Sequence, residues 1–481
     1  MMRGRNLRRK SIVVCALAIC LYLSGCGEPV SQASDDSNGL SAARQEESTI
    51  VEQPTIADNN AMKDSGKEII TLGTCRRIQS WDQISKSVTA FNQSQNQYTL
   101  ELKQYDNCSQ FALDIARKQG CDLFDLCDGR IGADIYAVKG VLEDLTPYFE
   151  SSDVVSREAV LDSVWRAGSI DGKMFFVIPA FRSSGILVEK DYITDGGWTG
   201  EEYIALADRY PESMLNKDVQ SPTAQIFTYL NQYVGNYIDW EKRTCSFDGR
   251  EFVELLEKLK ELSTRSYKTP EDSDVESVRN GVYLTYAVTM GNSFQQNEYK
   301  DLKDAFFDAY VLAGVPTADG TLRYDMFYQQ MYGMNAEAGN KKGAWAFLEY
   351  LLSEEYQQTV SPDSVSRQDT SPIAEYFPAR KDVLEKTLQE NLEYEPEADG
   401  PVRGSANKYT KEITYEYRSF QQEDRDFILK LVENSYREAF LTDQIPLNLI
   451  KEEAEPFFEG QKSAADVAKI IQSRVSLYLS E

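Results

Sequence analysis

Between Lys67 and Arg130 the chain alternates two kinds of apolar spacing, and this most narrows the folds open to it. "KEIITLGT", from Lys67 to Thr74, is a β-rich run that ends in a loop. In "IQSWDQISKSVTAFNQSQ" the residues Ile78, Ile84, Val88 and Phe91 fall on one helix face. "QYTLELKQY" alternates as a strand, "FALDIARKQG" reads as a helix closed by Gly120, and "CDLFDLCDGR" reads as a buried strand with a polar exit. Strand, helix, strand, helix, strand predicts an α/β fold built on a parallel sheet with helices on both faces. In such sheets ligands bind at the loops that follow the strand C-termini.

Charge and composition remove several classes of function. The chain has 481 residues, room for about two to three domains, and a net charge of −26. Such a surface repels nucleic-acid phosphates and anionic lipid headgroups, so no nucleic-acid partner is expected. There is no histidine. That removes the usual general base at neutral pH, the Ser-His and Cys-His nucleophile pairs and the commonest transition-metal ligand. No metal or cofactor is expected, and catalysis would have to rely on carboxylates.

The N-terminus carries export features. Arg3, Arg5, Arg8, Arg9 and Lys10 precede an apolar run from Ser11 to Leu23, about the size of a signal h-region and too short to span a bilayer. Leu23, Ser24, Gly25 and Cys26 resemble a bacterial lipobox. On that resemblance residues 1–25 are a signal peptide, and Cys26 takes a diacylglyceryl group on sulfur and becomes the new N-terminus. Residues 26–67, rich in Ser, Asp, Asn, Gln, Glu and Ala, read as a flexible tether. Cys75, Cys108, Cys121, Cys127 and Cys245 remain beyond it; they are odd in number, form no CxxC, and read as buried free thiols with room for one disulfide.

The order of the later segments carries a family resemblance. "DGKMFFVIPAFRSSGILVEKDYI" brings a strand to Pro179 and a second strand to Lys190 and Asp191; then Gly197, Trp198 and Thr199 form a turn, with Thr199 as N-cap and Glu202 completing a capping box. "YIDWEKRTCSFDGREFVELLEKLKEL" reads as a hairpin and a helix, with Phe252, Leu255, Leu256 and Leu259 at helical spacing. "YLTYAVTMGNSF", "AYVLAGVPT" and "MYGMNAEAGNKKGAWAFLEYLLSEEYQ" follow, and the chain ends in "IKEEAEPFFEGQKSAADVAKIIQSRVSLYLSE". This series resembles the extracellular solute-binding proteins of ABC importers, in particular the sugar-binding class. The resemblance covers about residues 68–481 and is closest at the C-terminus. It departs from the family in residues 380–440, which are long and charged.

The resemblance implies a two-lobed periplasmic-binding-protein-like fold of type II. Each lobe would be a mainly parallel sheet with helices on both faces, and crossing hinge segments would join the lobes. The expected division is 68–179 for the N-terminal lobe, 180–314 for the C-terminal lobe, 315–357 for a return to the first lobe and 358–481 for the C-terminal lobe and closing helices.

A sugar cleft needs flat aromatic faces and planar polar groups at the strand exits and crossings. Arg76 and Arg77 follow the first strand, with Trp81 a turn later. Asp128 and Arg130 leave the "DLFDLC" strand where sugar-binding members carry an acid and an arginine. Phe181 and Arg182 follow the first crossing; Arg182 stands on a family ligand position often acidic elsewhere, which suits a ligand carboxylate or an acid in the opposite lobe. Asn292 and Phe294 occupy the loop where members present a stacking tryptophan, and Tyr328 and Tyr332 precede the return strand. Trp240 reads as structural. "GSIDGKM" reads as a hairpin turn and not a phosphate loop, and Glu452 and Glu453 as a solvated helix face.

The expected protein is therefore a monomeric, lipid-anchored binding protein on the extracellular side of the cell membrane. It would catalyse no reaction and would deliver a small-molecule or oligosaccharide ligand to ABC permease subunits. The rival readings are a sensory lipoprotein that presents its ligand to a membrane receptor, a carboxylate-based carbohydrate-active enzyme, and an adhesin.

Overall fold

Strand β1 (Glu68–Thr74) lies between β2 (Tyr98–Gln104) and β3 (Leu123–Asp125) and runs parallel to both. The computed structural model describes residues 66–79, 82–127, 132–193, 196–240, 242–271, 273–291, 298–359, 376–393, 405–406, 413–414, 420–437 and 445–480. Helix α1 (Gln83–Ser94) buries Ile84 and Phe91, as their spacing predicts, with Ile78 just ahead of it. Helix α2 (Cys108–Ala116) buries Phe111 and Ile115 and is capped by Asn107, whose side chain accepts from the Ser109 amide. The chain then turns through Gly120, whose φ of 95° suits glycine. A distant segment completes this sheet: β12 (Tyr332–Met334) pairs antiparallel with β3 and gives the order β12-β3-β1-β2. The helix Lys341–Leu351 packs against β1. Gly343 permits that approach, because a Cβ there would stand 2.5 Å from Ile70 Cγ2.

A second sheet is organised around β6 (Ala180–Glu189), which takes β9 (Thr285–Met290), β10 (Tyr310–Ala313), β11 (Tyr324–Phe327) and β13 (Phe377–Pro378) as partners. All four run antiparallel to β6, and only β16 (Ser435–Tyr436) pairs parallel, with β11. The α/β class stands, but the expectation of a mainly parallel sheet in each half holds for the first sheet alone. Strand direction depends on the path of the connecting chain, which apolar periodicity does not encode. β11 still belongs to the second sheet, so the chain regains the first only at Tyr332.

Short hairpins decorate these sheets. β4 (Ser169–Ile170) and β5 (Lys173–Met174) are joined through Asp171 and Gly172, both at positive φ, in the turn read from "GSIDGKM". β7 (Ile238–Asp239) pairs with β8 (Thr244–Cys245), and β14 (Ser405–Ala406) with β15 (Ile413–Thr414).

The capping box is present at the helix Gly200–Arg209, where the Glu202 amide donates to Thr199 Oγ1 at 3.1 Å and the Thr199 amide to Glu202 Oε2 at 2.7 Å. Buried Trp198 donates Nε1 to the Gly314 carbonyl at 2.7 Å, fixing the turn to the exit of β10. At the C-terminus the helix Ala464–Ser480 buries Val467, Ile471 and Val475 and packs on the helices Ile445–Phe458 and Arg250–Ser263. Glu452 and Glu453 both pair with Arg474, which accounts for them as a helix-surface ion pair. Among the described residues no helix is long and apolar enough to cross a membrane.

Candidate functional site

The exit of the first sheet is built on one buried carboxylate. Asp125, the last residue of β3, is almost fully buried, so its charge needs partners. Thr74 Oγ1 donates to Oδ2 at 2.7 Å from the end of β1. Arg76 donates Nε to Oδ2 at 2.7 Å and Nη2 to Oδ1 at 3.1 Å, and the Cys127 amide donates to Oδ1 at 3.3 Å. Burial works against the Arg76 charge, but Asp125 outweighs it and holds the guanidinium protonated well above its ordinary range. The loop carrying Arg76 is also pinned covalently, since Cys75 and Cys108 form a disulfide between the end of β1 and the start of α2. Cys121, Cys127 and Cys245 take part in no disulfide among the described residues. Arg77, next on the same loop, is exposed and has no ion-pair partner among the described residues.

The segment from Phe327 to Tyr332 links this edge to the second sheet. Phe327, at the end of β11, stands opposite Arg182 of β6 and is 41% exposed. Arg182 donates Nη2 to the Thr289 carbonyl of β9 at 3.3 Å. Half-buried Tyr328 follows, and its carbonyl accepts from Cys127 Sγ at 3.4 Å, which ties it to the exit of β3. Arg76, Arg182 and Tyr328 are thus tied, through Asp125, Phe327 and Cys127, to one run of chain that ends in β12.

Two expected contacts are corrected. Phe181 is fully buried and packs on Phe377, 5.6 Å between ring centroids. Successive strand residues face opposite sides, so when Arg182 turns toward the edge Phe181 must turn into the core. Tyr332 is also fully buried, opposite Asp125 in the strand register, with its ring edge-on to Phe347. Burial first and the Asp125 charge second raise its hydroxyl pKa well above the ordinary phenol value. It supports the site from beneath and offers no face to a ligand. Cys26, Trp81, Asp128, Arg130, Asn292 and Phe294 lie outside the described residues.

Sequence reasoning missed Asp125, Phe327 and a buried polar group under the same edge. There Gln330 Nε2 donates to Ser87 Oγ at 2.7 Å, and Ser87 shares a 2.7 Å hydrogen bond with the Tyr356 hydroxyl. An acid inside the apolar run "LFDL" was the available signal for Asp125, because a buried strand carboxylate requires a partner. Among the described residues no cluster of acidic or cysteine side chains is arranged to hold a metal.

Comparison with known proteins agrees with this architecture. The solved structure of the sugar-binding protein MalE from Xanthomonas citri superposes with a TM-score of 0.52 at 13% identity, covering 86% of this chain and 97% of that one. An ABC substrate-binding protein from Listeria monocytogenes in complex with cycloalternan superposes with a TM-score of 0.50 at 15% identity, covering 86% and 99%. At these identities the likeness is one of fold, the two-lobed α/β fold of periplasmic binding proteins. No curated protein matches the sequence. The profile described as bacterial extracellular solute-binding protein matches residues 82–358, more than half of the sequence. The chain belongs to that family of bacterial extracellular solute-binding proteins.

Proposed function

We propose that the protein binds an extracellular oligosaccharide or related glycan and delivers it to the permease subunits of an ABC importer. The observation that carries the ligand class is the grouping at the crossing: an exposed ring, Phe327, beside a guanidinium, Arg182, one residue from Tyr328. An aromatic face suits the C–H side of a pyranose, and planar cations suit its hydroxyls or a carboxylate. Both similar structures are named for carbohydrate ligands or sugar binding, which supports the same class.

The contacts divide between the two sheets. Arg76 and Arg77 leave β1, whereas Arg182 and Phe327 belong to β6 and β11. A ligand held from both sides favours the closed arrangement only by the free energy of contacts made there and lost on opening. No bond is made or broken in this scheme; the protein acts as a monomer that captures and hands over its ligand. Cys26 would carry the lipid that keeps it on the extracellular face of the membrane. Metabolic labelling with a fatty-acid analogue should mark the wild-type chain and not Cys26→Ser; equal labelling of both would remove the anchor. Phe327→Ala should weaken glycan binding about tenfold with little loss of stability, and unchanged affinity would remove Phe327 from the site.

A further inference from the structure

Three segments that leave the second sheet or lead into it meet at one short helix, Glu354–Gln358. Val177 bridges Tyr332 of β12 and Pro179 then leads into β6; Gln330 lies between β11 and β12; Ala379 follows β13. Gln357 of that helix is fully buried, and its amide serves the first and third of these segments. Nε2 donates to the Pro179 carbonyl at 2.9 Å and to the Leu351 carbonyl at 2.7 Å, while Oε1 accepts from the Ala379 amide at 2.7 Å and the Arg380 amide at 3.3 Å. The neighbouring residue serves the middle segment. The Tyr356 hydroxyl shares a 2.7 Å hydrogen bond with Ser87 Oγ of α1, which accepts from Gln330 Nε2 at 2.7 Å. All four side chains are at most 2% exposed, so they have no face to offer a ligand.

We infer that Tyr356 and Gln357 are positioning residues for binding: the helix Glu354–Gln358 is the pivot on which the second sheet turns against the first, and these two side chains set the balance between open and closed chain. The pivot presupposes the closing motion of the proposed function and no particular ligand. It is anchored on the side of the first sheet, because it directly follows the helix Lys341–Leu351, which packs on β1, and Gln357 bonds the last carbonyl of that helix. Turning the second sheet must therefore bend the chain near Pro179, Gln330 and Ala379. Where strands end, buried carbonyls and amides lose their ladder partners and must find others. Here the partners are side chains, which follow a moving backbone by rotating about their χ angles, as a strand ladder cannot. The middle segment also holds two buried polar atoms, Gln330 Oε1 and the Tyr332 hydroxyl, that have no partner among the described residues. A second arrangement that fills them would recover free energy that this one forgoes.

Hydrogen exchange of the ligand-free full chain tests the pivot without any glycan. Ser87→Ala removes the hydroxyl beneath the middle segment and leaves Gln357 in place. Because all three segments answer to one helix, the amides of Val177, Tyr332 and Ala379 should exchange about tenfold faster together, while those of Leu72 in β1 and Leu187 in β6 stay unchanged. Acceleration at Tyr332 alone, or equal acceleration at Leu72 and Leu187, would overturn the pivot. Tyr356→Phe, which loses only a hydroxyl, gives a second readout. Closure is common to every ligand, so this variant should shift the affinity for each glycan the chain binds by one common factor of about threefold. Factors that differ from glycan to glycan would place Tyr356 on the ligand surface and contradict a positioning role. A chain that binds no glycan would sink the proposed ligand class while the exchange result still decides the pivot, so the two fail separately.

Discussion

Arg437 holds Asp134 by two hydrogen bonds, Nη2 to Oδ1 at 2.8 Å and Nη1 to Oδ2 at 3.1 Å, with both side chains less than a tenth exposed. The same guanidinium donates Nε to the Ala167 carbonyl at 2.5 Å and lies over the Phe176 ring. Arg437 directly follows β16 of the second sheet, whereas Asp134 sits in α3 (Ala133–Val138), so the pair ties the edge of one sheet to a helix flanking the other.

Breaking that tie from one side should be costly. Arg437→Ala leaves the Asp134 carboxylate buried and unpaired, and a loss of about 3–5 kcal/mol is expected in denaturant unfolding. The double variant Asp134→Leu with Arg437→Met removes both charges and should recover most of that loss. A double variant no more stable than the single one would show that the pair is not the source of the effect.

Asp125 should matter both for stability and for binding. Asp125→Ala removes the acceptor for Thr74, Arg76 and the Cys127 amide at once. Arg76 is partly solvated, its side chain 28% exposed, which reduces the expected loss to about 2–4 kcal/mol. Because Arg76 then loses its fixed orientation, glycan affinity should fall more steeply than for a surface arginine such as Arg77. Equal affinity losses for Asp125→Ala and Arg77→Ala would contradict that role.

The disulfide makes a separate prediction. Cys75 and Cys108 are 33 residues apart in sequence, and on the chain-entropy account a loop of that size contributes about 3–4 kcal/mol. Reduction, or Cys75→Ser with Cys108→Ser, should lower the unfolding temperature. An unchanged unfolding temperature under strong reductant would mean that the link does not constrain the unfolded chain.

Asp325 gives the clearest pH dependence. Burial raises its carboxyl pKa from 3.8 to about 6, against the lowering effect of hydrogen bonds from Gln232 Nε2 at 2.5 Å and Asn231 Nδ2 at 3.3 Å. The folded state therefore holds this proton more tightly than the unfolded chain. The resulting stability is fully present below about pH 4 and is lost as pH rises through about 6. Asp325→Asn cannot ionise, and a flipped Gln232 amide, whose Oε1 has no partner among the described residues, can accept from the new side chain. At pH 7 the variant should be more stable than wild type by up to about 3 kcal/mol, with the difference shrinking to near zero at pH 4. A constant difference across that range would exclude Asp325 as its source.

How far the sequence could be read follows from how local each signal is. The β1 to β3 alternation, the Thr199 capping box and the "GSIDGKM" turn depend on neighbours a few residues apart, and each is found where its pattern placed it. Site assignments depend on partners far along the chain. Phe181 and Arg182 are adjacent in sequence, yet β6 turns them to opposite sides, and only the register with Phe327 and Phe377 says which side is open. Tyr332 looked like a site aromatic because it stands near the return to the first sheet; its pairing with β3, from more than 200 positions earlier, is what buries it. A cavity beside Trp240 is lined from five separate segments of the chain, and no local pattern signals that.

The central claim is that the edge spanning Arg76, Arg182, Phe327 and Tyr328 binds a glycan. The most direct measurement is calorimetric titration of the full chain against a broad panel of neutral and acidic oligosaccharides, repeated with Phe327→Ala. The account predicts saturable one-to-one binding of at least one glycan, a matching rise in unfolding temperature by mass action, and a clear weakening in the variant. Flat titrations across the whole panel, or a glycan bound equally well by wild type and variant, would contradict it.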